Sequence, residues 1–322
     1  MIRRLAAAAL PLFLLAACAD DQSPTRPAGF WFTAPRNDEI RLEALDRARA
    51  VDPCALVPRA ELAKIAPIRS VENDDRDSCE AELGSAEANK GIELDWAVVF
   101  ATVQEGAKSA KTTIAGTDVL LAGDKNNIPE DQFAKLVQRN CTATAQFPAG
   151  AALMLFVTTP LGTEPCDLGE KVLGTAIAEF LQEPARGTSP DTAATVLDAT
   201  ADPCDVLPQL GVTVNAADRR MRTCDFTYKG DEISLRYEYE ERDTIPGHDG
   251  PPLDLGGNYP VYRDVSGDDP DDFHFYTAVI GPEINPATAD PTFGPRVPTV
   301  SVTGKNDEVL TEVLRRTLTL FP

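Results

Sequence analysis

The sequence predicts an α+β fold of two repeated modules, each an antiparallel sheet with a C-terminal amphipathic helix, stapled by disulfides. Three features predict it: a motif that occurs twice, strands of alternating polarity after each copy, and an apolar helical stripe that closes each half. Strands that precede a terminal helix are typical of α+β proteins. The first module is predicted to span residues 39–184, a linker residues 185–200, and the second module residues 201–322.

Residues 1–17 have the layout of a secretory signal peptide. A cationic start precedes an apolar run over residues 5–15, and two alanines precede Cys18. The apolar run is too short to span a bilayer, which takes about 20 residues. The same order resembles the lipobox of bacterial lipoproteins, whose cysteine is acylated, with palmitate for example, and becomes the mature N-terminus. We therefore expect Cys18 to be lipidated; the alternative is an ordinary cleaved signal peptide.

Residues 18–38 are predicted to form the lipidated tether, because prolines and a glycine recur along them. About 20 such residues give a flexible reach of roughly 25 Å. The aromatic segment at residues 29–32 is unusual for a spacer. Two interpretations stay open: packing onto the first module, which we favour, and contact with a partner or the membrane.

Each module contains a strand whose apolar residues alternate with polar ones. A period of two indicates a half-buried antiparallel strand. The apolar positions are Ile92, Leu94, Trp96, Val98 and Phe100 in the first module, and Ile233, Leu235, Tyr237 and Tyr239 in the second.

Each module also ends in a helix with one apolar stripe. In the last helix, acidic residues occupy the first turn and Arg315 and Arg316 come late, as the helix dipole favours. The stripes consist of Leu168, Val172, Leu173, Ala176, Ile177, Phe180 and Leu181, and of Val309, Leu310, Val313, Leu314, Leu318 and Phe321.

The chain has 7 cysteines, and six remain when Cys18 is set aside. An even number in an exported chain predicts disulfides. The repeated motif, Asp-Pro-Cys, supplies Cys54 and Cys204, and each is followed by a second cysteine, Cys79 or Cys224. No CxxC or zinc-ligand spacing occurs, so a catalytic or metal role is not expected.

The remaining two cysteines, Cys141 and Cys166, have no counterpart in the second module. Counting back from the terminal helices aligns them near Ala278 and with Thr303. Their joint absence predicts that they are bonded to each other. The predicted pairs are Cys54–Cys79, Cys141–Cys166 and Cys204–Cys224, each worth about 3 kcal/mol in the chain-entropy model.

The chain is strongly acidic, with 51 acidic against 30 basic residues. Removal of residues 1–17 takes away two arginines, so the mature net charge is 28 − 51, about −23. Such a surface repels phosphate backbones, so nucleic acid is not an expected partner.

No strong catalytic motif is present. GxSxG, HExxH and a GxGxxG before a helix are all absent, and residues 106–109 resemble only the end of a phosphate loop. The two histidines are His248 and His274, and nothing marks a nucleophile beside them. We expect no enzymatic activity, no catalytic residue, no metal site and no cofactor.

Two acidic stretches are candidate cation sites. Residues 264–272 precede an aromatic run, and residues 72–77 lie between the first two bonded cysteines. Oxygen-rich loops can bind calcium, but neither spacing matches an EF-hand. We favour solvated acidic turns, and leave open whether the stretch from Asp264 to Asp272 binds calcium.

The lipobox, the Asp-Pro-Cys opening, the second cysteine before a strand and the terminal helix together resemble a family. They are similar to actinobacterial cell-envelope lipoproteins of unknown function that carry this module, here as a tandem duplication. The resemblance covers residues 52–181 and 202–321. It implies a fold similar to the Mog1/PsbP group and an association with extracellular ligand sensing, and it supplies no catalytic residues.

We therefore expect a non-enzymatic protein-interaction or accessory module of the cell envelope. It would be held to the extracytoplasmic face of the cell membrane by lipid on Cys18. The alternative is a carrier or sensor of a small, apolar ligand held between sheet and helix. An unrecognised hydrolase is the least favoured. The sequence identifies neither the envelope partner nor the ligand, nor the oligomeric state, nor whether the two modules share a function.

Overall fold

The computed structural model describes residues 29–101, 108–255, 258–267, 272–285 and 294–322. The predicted signal peptide, Cys18 and the start of the tether lie outside these residues. The described chain has an α+β fold with two antiparallel sheets, as the sequence predicts. No helix among the described residues is both long enough and apolar enough to cross a membrane.

The first sheet has seven strands, all antiparallel to their neighbours, in the order β1-β2-β3-β7-β6-β5-β4. The alternating residues predicted for the first module lie on β3, and four of the five are buried. The strands are β1 (Ile68–Asp75), β2 (Ser78–Gly84), β3 (Gly91–Phe100), β4 (Ala110–Ile114), β5 (Thr117–Gly123), β6 (Gln138–Gln146) and β7 (Ala151–Pro160).

The second sheet has five strands in the order β10-β11-β12-β9-β8. Taken from β8, this order follows the same path as β2-β3-β7-β6-β5 in the first sheet. The strands are β8 (Thr223–Tyr228), β9 (Asp231–Glu241), β10 (Val261–Val265), β11 (His274–Val279) and β12 (Arg296–Gly304).

Three long helices pack on the sheets, and the first of them follows the short aromatic segment. The opening helix is capped by Asn37, whose side chain accepts a hydrogen bond from the Ile40 amide at 3.0 Å. The helices are α1 (Asp38–Ala50), α2 (Arg59–Leu62), α3 (Asp124–Asn127), α4 (Glu130–Phe133), α5 (Pro165–Phe180), α6 (Leu207–Leu210) and α7 (Asp307–Leu318).

The predicted stripes of α5 and α7 are the faces that contact the sheets. α5 packs on β5, β6 and β7, and α7 packs on β11 and β12. A Cβ added to Gly169 of α5 would lie 3.4 Å from Val157 and 3.5 Å from Ala143. Helix and sheet therefore meet in direct contact at this point.

The three predicted cysteine pairs are confirmed. Cys54–Cys79, Cys141–Cys166 and Cys204–Cys224 have Cα separations of 5.1, 5.2 and 5.2 Å, within the range a disulfide requires. The first and third join the Asp-Pro-Cys turn to a later strand, β2 or β8. The second joins β6 to the start of α5.

The aromatic segment at residues 29–32 packs onto the first module, as the favoured interpretation predicts. Trp31 is buried, its ring centroid lies 4.7 Å from that of Phe180, and its Nε1 donates to Glu183 at 2.8 Å. The chain is thus part of the packed structure from residue 29, before the predicted end of the tether at residue 38.

Candidate functional site

The aspartate of the first Asp-Pro-Cys motif holds the segment that connects the two sheets. Asp52 is fully buried, and its Oδ2 accepts from the Ser189 amide at 2.9 Å. Its Oδ1 accepts from the Ala55 amide at 3.3 Å and from the Thr192 hydroxyl. The predicted linker at residues 185–200 is therefore bound to the first module through this carboxylate.

The aspartate of the second motif makes a different connection. Asp202 caps the Cys204 amide at 2.8 Å and forms a two-point contact with Arg49 of α1, at 2.8 and 3.1 Å. Arg49 is 2% exposed, and Arg219 contacts the same carboxylate at 3.1 Å. This buried ion pair ties α1, which packs on the first sheet, to the turn that opens the second module.

The turn between β1 and β2 lies against the edge of the second sheet and binds backbone groups there. Pairing between β8 and β9 stops at Arg236, so the edge of β9 beyond it has no strand partner in β8. There the Tyr239 amide donates to Asp75 Oδ1 at 2.9 Å, and Arg76 donates to the carbonyls of Asp198 and Ala201 at 3.0 and 2.9 Å. The prediction that residues 72–77 form a solvated turn is wrong, because this edge needs a hydrogen-bond acceptor.

Burial changes the titration of two groups in this turn. It raises the pKa of Asp77 to about 6, opposed by Arg76. It also lowers the pKa of Arg76 to about 10, with Arg186 adding to the effect. We call Asp75, Arg76 and Asp77 the buried joint, because these buried charged residues contact the second half of the chain. Removing one partner from a buried set of charges strongly lowers the stability of the fold.

A row of carboxylates lies on the first sheet beside this joint. Glu72 pairs with Glu80 across β1 and β2, and Glu80 pairs with Asp95 across β2 and β3. Like charges directly opposite each other destabilise a sheet. Three in one row therefore carry a cost in stability, which a nearby cation reduces.

One cation from the second sheet reaches this row. Arg296 of β12 contacts Glu80 at 3.2 Å and Asp74 at 2.7 Å. Burial raises the pKa of Asp95 to about 6, with Asp74 adding to the effect and Arg296 opposing it. No described residue donates a hydrogen bond to Asp95, and burial is the main influence on its carboxylate.

The row ends at an exposed aromatic ring. Phe156 of β7 lies directly opposite Asp95 and is 45% exposed. We call Glu72, Asp74, Glu80, Asp95 and Phe156 the acidic face.

In the second sheet, Glu240 of β9 accepts a hydrogen bond from the Ser301 hydroxyl at 3.0 Å. Burial and the neighbouring Glu238 raise the pKa of Glu240 to about 7.

The acidic face has the chemistry to bind cationic side chains. Carboxylates attract an ammonium or guanidinium group, and an exposed ring can pack against its apolar stem or bind its charge. Within the described ranges, no group of three or more His, Cys, Asp or Glu side chains is placed to hold a metal ion.

The other predicted residues lie elsewhere. Cys18 is outside the described residues, as are 268, 269 and 271 of the acidic loop, so calcium binding there stays an open question. His248 lies 3.0 Å from the Ile245 carbonyl, and His274 contacts Asp307. Sequence reasoning missed the acidic face because only the strand register brings its carboxylates side by side.

No family model and no curated protein matches the chain. Among solved structures, the chain is similar to the crystal structure of DynU16, a protein in the dynemicin biosynthetic locus. The identity is 11%, over 85% of this chain and 88% of that one. The TM-score is 0.15, so this similarity carries no argument about fold or function.

Proposed function

We propose that this protein is a lipid-anchored, extracytoplasmic accessory protein of the cell envelope that binds a cationic segment of a partner protein on the acidic face. The observation that carries this proposal is the row formed by Glu72, Glu80 and Asp95, three carboxylates kept directly opposite one another at a cost in stability. The contact of Arg296 with Glu80, the middle carboxylate of the row, supports it, since a guanidinium group already binds there.

A direct test uses the acidic face and a fluorescent Lys-rich peptide. The double variant Glu80→Gln/Asp95→Asn should weaken peptide binding at least tenfold, measured by fluorescence anisotropy at low salt. The control Glu130→Gln/Asp131→Asn on α4 makes the same change in charge away from the row. Equal weakening by both variants would mean that only the net charge matters, which contradicts the proposal.

The partner itself can be sought by crosslinking in intact cells. The wild-type protein and the control variant should give the same crosslinked band, and Glu80→Gln/Asp95→Asn should lose it. Bands that persist in all three proteins would place the partner on another surface.

The anchor has its own experiment. Cys18→Ser should release the protein into the medium, because the acyl acceptor is gone. Continued retention on the membrane would contradict the lipid-anchor part of the proposal without touching the acidic face.

We also propose that the two modules arose by duplication of one Asp-Pro-Cys module, as in the envelope lipoproteins that the motifs resemble. The shared strand path and the position of each motif before its sheet support this. A Mog1/PsbP-like ancestry belongs to the same proposal.

The alternative, a carrier of a small ligand, has weaker support. A Cβ on Gly304 would lie 3.0 Å from Leu310, so α7 and its sheet are in contact there. An open cavity of about 430 Å³ lies on the strands β4 to β6, lined mostly by polar residues such as Thr112 and Thr144. Native mass spectrometry of the soluble form that starts at Ala19 tests this alternative. A bound small-molecule mass, lost on denaturation, would favour the carrier.

A further inference from the structure

The disulfide between Cys141 and Cys166 differs from the other two in its exposure. Cys166 is partly exposed, while Cys141 is 2% exposed. Access to a sulfur atom decides which disulfide an external thiolate can attack in the folded protein. The remaining four are buried: Cys54 at 2%, Cys79 at 0%, Cys204 at 1% and Cys224 at 0% exposure.

Cys166 also lies where a thiolate would be stabilised. It is the second residue of the 16-residue helix α5, and Glu164 at the N-cap position makes no capping hydrogen bond. The free amides of the first turn favour a negative sulfur. One side of the sulfur is closed, because a Cβ on Gly123 would lie 2.8 Å from it. Gly123 therefore packs directly against one side of the sulfur.

The strand registers show what occupies this place in the second sheet. Counted across paired strands from Cys79 and from Cys224, the two paths end at Ala143 and Tyr276. Cys141 and His274 each lie two residues before that point on the same strand, so they occupy the same position in the two sheets. The sequence alignment near Ala278 is therefore wrong, because the connections before and after β12 both differ in length from those before and after β7. The paired residues in the two counts are Cys79, Trp96, Leu155 and Ala143, and Cys224, Leu235, Val302 and Tyr276.

In the second sheet a polar cluster connects this position to the terminal helix. His274 contacts Asp307, the first residue of α7. Tyr276 donates to Asp307 Oδ1 at 2.8 Å, and Arg263 donates to Oδ2 at 2.9 Å. β11 is thus joined to the start of α7 without a covalent bond. The same strand path therefore folds with or without a disulfide at this place.

We propose that Cys141–Cys166 is a thiol-exchange site, open to a small thiol or to a dithiol protein. A thiolate attacks the sulfur of Cys166 and forms a mixed disulfide with it, and Cys141 leaves as a thiolate that takes up a proton. A second thiol then attacks the reductant sulfur of the mixed disulfide, and Cys166 leaves as a thiolate. This leaves Cys166 reduced and the two reductant sulfurs joined, so two electrons pass to the pair. The first turn of α5 is then no longer bonded to β6.

Differential alkylation of the folded full chain tests this proposal. The protein is exposed to reduced glutathione or to reduced thioredoxin, free thiols are blocked at timed points, and blocked peptides are quantified by mass spectrometry. Cys141 and Cys166 should become blocked at least tenfold faster than any of the other four. Equal or faster opening of Cys54–Cys79 or Cys204–Cys224 would overturn the proposal, as would no opening before global unfolding.

The double variant Cys141→Ser/Cys166→Ser is the matched control. It should fold, because the second sheet needs no such bond, and it should show no thiol uptake in the native state. Uptake that persists in the variant contradicts the proposal. If the variant does not fold, the order in which the cysteines of the wild-type protein become alkylated is by itself the test of the proposal. Glutathione and thioredoxin as separate reductants distinguish a small thiol from a protein dithiol as the agent.

Discussion

Asp52 and Asp202 begin the two copies of one motif, yet their carboxylates bind different partners. Asp52 binds amides and a hydroxyl of its own module and of the connecting segment. Asp202 binds two arginines, one of which, Arg49, comes from α1 of the other module. The same local motif thus supplies a neutral contact in one place and a buried ion pair in the other. The difference teaches that the motif sets where the carboxylate lies, and the neighbouring element sets its electrostatics.

The largest expected effect comes from breaking the ion pair. Asp202→Ala should lower the free energy of unfolding by about 3–5 kcal/mol, because it removes the buried carboxylate partner of Arg49 and leaves only the exposed Asp46 to balance its charge. Asp52→Ala should lower it by about 1–3 kcal/mol, because it leaves two amides and a hydroxyl, all neutral donors, without their acceptor. Chemical denaturation of both variants measures the two values.

The double variant Arg49→Met/Asp202→Leu sharpens this comparison. It should recover most of the loss, since a buried ion pair can be replaced by apolar residues at little cost. Equal losses for Asp52→Ala and Asp202→Ala would contradict the distinction between the two motifs.

A smaller effect is expected on the pH dependence of stability, which two carboxylates, Glu240 and Asp307, change in opposite directions. Burial raises the pKa of Glu240 to about 7, so its contribution to stability is full below about pH 4.5 and is lost as the pH rises through 7. Glu240→Gln should therefore raise the melting temperature at pH 8, by the equivalent of about 1–3 kcal/mol, and change it little at pH 4.

Asp307 gives the opposite sign and serves as the control. Its hydrogen bonds from Arg263, His274 and Tyr276 outweigh its burial and lower its pKa to about 2. Its contribution is present above about pH 4 and is lost as the pH falls toward 2. Asp307→Asn should therefore destabilise the protein at pH 6 more than at pH 2, as thermal melts at both values would show.

The smallest effect concerns the row on the first sheet. Asp95→Asn removes one of the three opposed charges and should stabilise the protein by roughly 0.5–1 kcal/mol, while weakening binding of the Lys-rich peptide. A loss of both stability and binding would show that Asp95 has a structural role instead.

Much of the fold follows from patterns that are local in the sequence. The period of two in residues 92–100 requires a strand with one buried face, and the stripe from Val309 to Leu318 requires a helix on a sheet. The cysteine pairs followed from a comparison of the two halves. By contrast, residues 72–77 have the composition of a solvated turn. Asn73 and residues 75–77 are nevertheless buried, and Tyr239 on the other sheet donates its amide to Asp75.

The sequence by itself determined the α+β fold class and the three disulfides, because periodicity and repetition act along the chain. The lipid anchor at Cys18 remains a prediction from the same kind of local pattern. Only the tertiary structure decided the ion pair of Arg49 with Asp202, the row from Glu72 to Asp95, and the position of His274, which is equivalent to that of Cys141 in the other sheet. Each of these depends on strand register or on contact between modules. Both are set by packing between residues far apart in the chain, and no local pattern encodes them.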